Sequence, residues 1–234
     1  MNEPRLPYEN SGNESGKKVA LGCGFGCLGA AIICLLIGFF VVRGLQSKAE
    51  ALAGMASSEP MAFDYPRVQA NEAEAVVSRF DNFRQAIANA KPAEPLVLTE
   101  DDLNILISQH PSFEPLAGKT AVKIVDNQIE ARVSLKPEEL PFTIPFISKA
   151  FAGKYINGTG KVDFSIQNEE ARMYIVDFQL SGLPIPEEFK EQFKQENLMD
   201  KLLEDEEVKS VLDRIETLKI ENNTLRIVPE ATPE

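Results

Sequence analysis

Residues 121–135 read AVKIVDNQIEARVSL, and two features of this stretch decide what kind of domain the chain builds. Apolar residues alternate with polar ones at Val122 and Ile124, and again at Ile129, Ala131, Val133 and Leu135, the period of a strand with one buried face. Between the runs stands Asp126-Asn127, residue types that tolerate the backbone a tight hairpin turn demands. A β-hairpin with one apolar face follows. The same grammar returns twice. Val162, Phe164 and Ile166, a turn around Asn168-Glu169 and the run Arg172 to Leu180 predict a longer hairpin. Leu218 and Ile220, a turn at Asn222-Asn223, then Leu225 and Ile227 predict a third. The first and third echo each other, VKIVDNQI at 122–129 beside LKIENNTL at 218–225, as common hairpin chemistry and not as a duplication. In the long hairpin Met173 and Ile175 share one parity while Tyr174, Val176, Phe178 and Leu180 share the other, so both faces of that strand are expected to be covered.

Helical spacing fills the intervals. Val76, Phe80, Phe83 and Ile87 recur at four, three and four residues, predicting a helix from about Asn71 to Ala90 that Lys91-Pro92-Ala93-Glu94-Pro95 stops. Its stripe is too short for a coiled-coil seam and is expected to pack on the domain. Leu96 to Leu98 leads into a second helix whose start is Thr99-Glu100-Asp101-Asp102, with Leu103, Leu106 and Ile107 on the inner face and Pro111 ending it just after His110. Adjacent carboxylates in a first turn are helix-start chemistry and not a metal or acid-base site. From Pro186 to about Ile215 one or two amphipathic helices are expected, on Phe189 and Phe193, Leu198 and Leu202, and a stripe of Val208, Val211, Leu212 and Ile215. Glu204 to Glu207 reads as a solvated acidic face or as a break between two helices. These elements predict an α+β class, an antiparallel sheet of hairpins packed on amphipathic helices.

Ahead of the domain, Val19 to Val42 runs 24 residues without a charge, an amide or a proline. A helix of that length reaches about 36 Å, enough to cross a hydrocarbon core of about 30 Å, so a single N-terminal transmembrane helix is expected. The run is too long for a cleaved signal, and Ala51-Leu52-Ala53 lies beyond Arg43 and Lys48. Cys23 has almost no apolar run before it, which excludes a lipoprotein signal. Gly22, Gly26, Ala30, Cys34 and Gly38 recur every four residues, a shallow groove suited to helix packing and to homo- or hetero-association through the span, although glycine is also simply common in membrane helices. Arg5, Lys17 and Lys18 before the span point to a cytoplasmic N-terminus and an extracytoplasmic domain at the cell membrane, a reversed anchor being the alternative. The expected organisation is a disordered tail at 1–18, the span at 19–42, a tether at 43–70, the domain at 71–229 and a short tail at 230–234.

The net charge is -12, and since residues 1–18 hold three acids and three bases, all of it follows the span. Such a surface repels nucleic acid and acidic headgroups, so no nucleic-acid partner and no polybasic membrane contact is expected. All three cysteines sit inside the span, leaving the domain no disulfide or thiolate site. No P-loop, G-x-S-x-G turn or G-x-G-x-x-G start is present, so the chain is read as no enzyme, with no catalytic residue, metal or cofactor. His110, the sole histidine, is expected at a helix end or on a loop, where its charge would complement the dipole.

Two apolar stretches remain, Leu140-Pro141-Phe142-Thr143-Ile144-Pro145-Phe146-Ile147 followed by Phe151, and Leu183-Pro184-Ile185-Pro186. Proline keeps both out of a central strand, so they are loops tucked over the core or a rim that admits an acyl chain. The helix start Leu98-Thr99-Glu100-Asp101-Asp102-Leu103-Asn104, the meandering hairpins, Ser181-Gly182-Leu183-Pro184-Ile185-Pro186 and the acidic helices together resemble small membrane-anchored bacterial envelope proteins of the YpmS type. They are also similar to bacterial phospholipid-binding proteins of the tubular lipid-binding superfamily, over about residues 96 to 229. The resemblance implies a strongly curved antiparallel sheet around a helix, with an apolar groove that holds lipid. Two functions are therefore expected to compete. One is binding or handling of an acyl chain, with Leu103, Ile107, Phe142, Phe146, Phe151 and Phe178 as contacts and entrance past the three phenylalanines of 142–151. The other is a structural or interaction protein that presents an acidic domain to a membrane partner, with Gly22, Gly26, Ala30 and Gly38 packing against another helix.

Overall fold

The structure, a computed structural model, describes residues 56–136, 153–167, 170–181, 183–184, 197–204 and 206–230. The span at Val19–Val42 with Gly22, Gly26, Ala30 and Gly38, and the rim residues Phe142, Phe146 and Phe151, lie outside the described residues, as do Phe189 and Phe193. Among the described residues no helix is long and apolar enough to cross a membrane.

Helix α1 (Ala70–Ala88) opens where the Gln69 N–H donates to Glu72 Oε2 at 3.3 Å and the Glu72 N–H donates to the Gln69 carbonyl at 3.0 Å, and it buries Ala73, Val76, Phe80, Phe83 and Ile87. The predicted stripe is therefore its core face. Strand β1 (Leu96–Thr99) runs straight into α2 (Glu100–Gln109), where Thr99 Oγ1 accepts from the Asp102 N–H at 3.1 Å and Asp102 Oδ2 accepts from the Thr99 N–H at 3.0 Å. A 3-10 turn at Pro111–Leu116 follows. The hairpins are β2 (Thr120–Val125) with β3 (Gln128–Leu135), β4 (Ile156–Gln167) with β5 (Glu170–Leu180), and β7 (Ile215–Glu221) with β8 (Thr224–Pro229). Strand β6 is the pair Leu183–Pro184, and two short helices, α3 (Met199–Leu202) and α4 (Glu206–Leu212), stand before β7. Glu204 thus stands just after α3, and Glu206 and Glu207 open α4. Asp126 and Asn127 have φ of 54° and 57°, and Asn222 and Asn223 have 52° and 58°, the left-handed pairs that a two-residue hairpin turn needs.

The strands form one sheet with every pairing antiparallel, in the order β1-β8-β7-β4-β3-β2, with β5 on the other edge of β4 and β6 on β5. Helices on one face complete an α+β domain. The long strand β4 is the spine, since β3 pairs with its first half, Ile156 to Val162, and β7 meets the same edge at Ile166. Cross-strand partners point to one side. Val122, Ala131, Val133, Leu135, Ile156, Val162, Phe164, Ile166, Leu218, Ile220, Leu225, Ile227, Leu96 and Leu98 accordingly form a single buried inner face. The two end strands of the path, β1 and β2, both abut α2.

Three expectations need correction. Strand β5 is not covered on both faces. Val162 pairs with Ile175 and Lys161 with Asp177, so Val176 is an extra residue, a β-bulge. The bulge moves the core-facing parity from Met173 and Ile175 to Phe178 and Leu180, keeping all four on the inner side while Val176 stays 37% exposed. Ile215 is buried as expected, but it opens β7 and does not close a helix. Residues 56–69, placed in the tether by composition, are fastened to the domain: Ser57 bridges Tyr155, Met61 N–H donates to Ser134 Oγ at 3.0 Å, and Asn157 Nδ2 donates to the Glu59 carbonyl at 3.0 Å. Polar side chains on the outer face of β3 and β4 offer those bonds, which composition alone does not reveal.

Candidate functional site

Of the described candidates, Ile107 is buried in the core, while Leu103 and Phe178 are half-buried and packed against it. Leu103 and Ile107 lie on α2, beside β1 and β2, and Phe178 lies on β5, so the three share a core but line no common channel among the described residues. The inner face of the long hairpin differs between its ends. At the far end Met173 and Met199 are fully buried with Ile175 and Leu198, and the Leu198 N–H donates to the Met173 carbonyl at 2.9 Å. That end is filled by the chain's own side chains. At the near end β4 presents Gly158 and Gly160, paired with Leu180 and Phe178. A Cβ on Gly160 would stand 3.3 Å from the Phe178 ring, and one on Gly158 would stand 3.4 Å from it. The missing side chains make a trough in which the half-buried Phe178 ring lies.

Two asparagines that the sequence reading did not single out bond the open backbone of β2 and of β5. Asn104, only 5% exposed, accepts from the Val122 N–H at 2.9 Å and donates to the Val122 carbonyl at 2.7 Å, and Glu100 accepts from the Ile124 N–H at 2.9 Å. Asn197 does the same for β5, accepting from the Met173 N–H at 2.8 Å and donating to the Ala171 carbonyl at 3.0 Å. A side-chain amide carries the donor and acceptor of a peptide unit and so imitates the next strand. Of the acids in the first turn of α2, Asp102 caps the helix and also pairs with Arg79 at 2.8 Å, while Glu100 serves β2.

His110 does cap the end of α2, but it is buried at 3% exposure between Phe80 and Phe113. Its Nδ1 accepts from the Ser112 N–H at 3.1 Å, which puts the ring proton on Nε2, 3.1 Å from Asp81 Oδ1. Asp81 also holds Arg84 at 2.8 Å. The nearby serine meets the imidazole through its backbone and not its hydroxyl, so the group ties α1 to the end of α2 and does not form a nucleophile-base pair. The helix-end position is as expected, and there the imidazole is a buried, hydrogen-bonded part of the core. A polar cleft of about 120 Å³ opens beside β2, lined by Asp64, Glu100, Asn104, Ala121, Val122, Lys123 and Arg132. It is small beside ligand pockets of about 300–1,000 Å³, and its charges of both signs suit water better than an acyl chain.

Tyr65 fixes the segment that lies across the outer face. Its hydroxyl donates to the Thr120 carbonyl at 2.6 Å and accepts from the Gly118 N–H at 3.1 Å. Burial raises its phenol above the usual value, with the bonds to Gly118 and Thr120 pulling partly back. Asn157 takes a hydrogen bond from Ser134 Oγ at 2.7 Å while holding Glu59, so a short buried network carries the strap.

Fold and surface together define an α+β domain with one antiparallel sheet and an apolar inner face. No protein family, curated protein or solved structure matches the chain.

Proposed function

We propose that this chain is a single-pass, membrane-anchored, non-enzymatic protein of the cell envelope that binds or handles lipid, taking an acyl chain against the near half of the long hairpin. The observation that carries this reading is the Phe178 ring, which lies half-buried over Gly158 and Gly160 on an otherwise almost wholly apolar inner face, so that an acyl chain takes its place by swinging that ring aside. Contact of α2 with both end strands supports a sheet bent around that helix, as the likeness to lipid-binding envelope proteins implies. The filled far end at Met173 and Met199 limits the occupied length to the near half. Burying an acyl chain gains about 0.8 kcal/mol per methylene, so even ten enclosed carbons hold a lipid through purification. The test is mass spectrometry of organic extracts from residues 56–234, made without the apolar run so that detergent is not needed. Wild type is expected to carry lipid, and Gly160→Leu, which pushes into the Phe178 ring, and Phe146→Asp to carry less at unchanged circular dichroism. Wild-type protein free of lipid and unable to take up a fluorescent acyl probe would sink the reading.

A second reading, an interaction protein presenting an acidic domain, is favoured by the polar outer face and by the charge of -12 that follows the span. The span then packs through Gly22, Gly26, Ala30 and Gly38. Crosslinking between spans that is unchanged in Gly26→Leu counts against that packing.

A further inference from the structure

The domain has two ends, and the chain arrives at only one of them. Strand β4 runs from Ile156 to Gln167, and its 12 residues set the ends about 36–40 Å apart. At the first end Ser57 and Tyr155 exchange backbone hydrogen bonds at 3.0 and 2.8 Å, so the strap joins the sheet there. Lys136 closes β3 at the same end and places its ammonium 5.2 Å from the centre of the Tyr155 ring. Lys154 is exposed beside them, and the exposed Glu59 is the acid of the strap at this end. The far end carries Gln167, Glu170, Arg214 and Glu230, of which Glu230 N–H reaches the Arg214 carbonyl at 2.8 Å.

Thirteen residues, 43–55, separate the apolar run from the first described residue. They reach about 45 Å at most, so the first end can stand no further than that from the apolar run. The lead ties the first end to the bilayer within that reach, and the far end has no such tie and can stand up to one domain length further out. The residue types agree with that orientation. Tyrosine and lysine are the side chains that settle at the headgroup level, the ring amphipathic and the ammonium reaching for phosphate.

Resting on the membrane-anchor reading above, we propose that the end bearing Ser57, Lys136, Lys154 and Tyr155 is a contact surface for phospholipid headgroups. The domain stands on the bilayer on that end, with the β4–β5 turn pointing away. The inner trough at Gly158 and Gly160 belongs to the same end, so a lipid that enters it travels the shortest path from its leaflet.

The test uses the full chain in phosphatidylcholine and phosphatidylglycerol vesicles with Cys23, Cys27 and Cys34 changed to alanine, which leaves the chain free of thiols. A fluorophore is placed at Lys154→Cys or at Gln167→Cys, both exposed positions, and quenching by headgroup-spin-labelled phospholipid is read. Quenching several-fold stronger at Lys154→Cys is expected. Equal quenching, or the reverse order, overturns the proposal. A Lys154→Cys label shielded from aqueous iodide yet unquenched by lipid puts a second copy of the chain on that surface and also overturns it. Alkaline carbonate washing separates the two readings: release of the chain defeats the anchor itself, whereas retention with equal quenching defeats only the orientation.

Discussion

Asn104 shows how much one side chain carries. It holds both backbone groups of Val122 at the open edge of β2, in surroundings where its own exposure is 5%. Asn104→Ala leaves a buried N–H and a buried carbonyl without partners, and each such loss costs about 1–3 kcal/mol. The expected loss is about 2–6 kcal/mol in urea unfolding, and Asn104→Asp, which sets a buried carboxylate oxygen against the Val122 carbonyl, recovers none of it. Tyr65 gives a pH dependence. Its phenol is raised above the usual value, so the fold favours the neutral form; the stability it lends is complete below about pH 10 and is lost as pH climbs through the raised value. Hydrogen exchange at the Met61 amide, which the strap protects, should therefore quicken above pH 10 in wild type. In Tyr65→Phe that step should vanish, and a step of equal size in both proteins would refute the assignment. Neither residue was legible from pattern. Asn104 sits between apolar neighbours and reads as a slip in an amphipathic face, because a polar group facing a strand edge and one facing water look alike in a list of spacings.

At the scale of elements, the hairpins were the most readable part of the chain, since alternation and a left-handed turn pair are both local. The start of α2 was equally plain, because Thr99 and Asp102 satisfy each other within four residues. The bulge at Val176 escaped because alternation on one strand cannot reveal that the partner skips a residue; it showed only as apolar groups on both parities, and the simplest account of that was two covered faces. The pairing yields a discriminating deletion. Without Val176, Ile175 still faces Val162 and Phe178 still faces Gly160, so the inner side keeps its residues and the hairpin only straightens. Removing Tyr174 instead throws Met173 or Ile175 onto the outer face. Loss of Val176 is expected to cost within about 2 kcal/mol and loss of Tyr174 well over that, as thermal midpoints several degrees apart. Equal midpoints would mean that the bend itself is needed.

For the molecule as a whole, the strap redraws where the domain begins. Composition put the boundary at about residue 71, yet Ser57, Glu59, Met61 and Tyr65 hold the outer face through bonds to residues 55 to 98 positions away. A chain starting at Ala56 is expected to unfold cooperatively and to be more stable than one starting at Ala70 by about 2 kcal/mol or more, from at least two side-chain bonds of about 1 kcal/mol each. Matching urea midpoints would show that the strap only lies on the sheet. The candidate site was less readable than the fold, because a trough made by missing side chains at Gly158 and Gly160 depends on which residue faces them across two strands. The same long-range bonds also set a clock. The Glu59 carbonyl waits for Asn157, which leaves the ribosome 98 residues later, about 5–20 s at usual rates of synthesis. The first part of the domain to be made is thus among the last to be fixed, and slow translation between the two positions lengthens the period in which a protease can cut the strap while leaving the finished protein no easier to cleave.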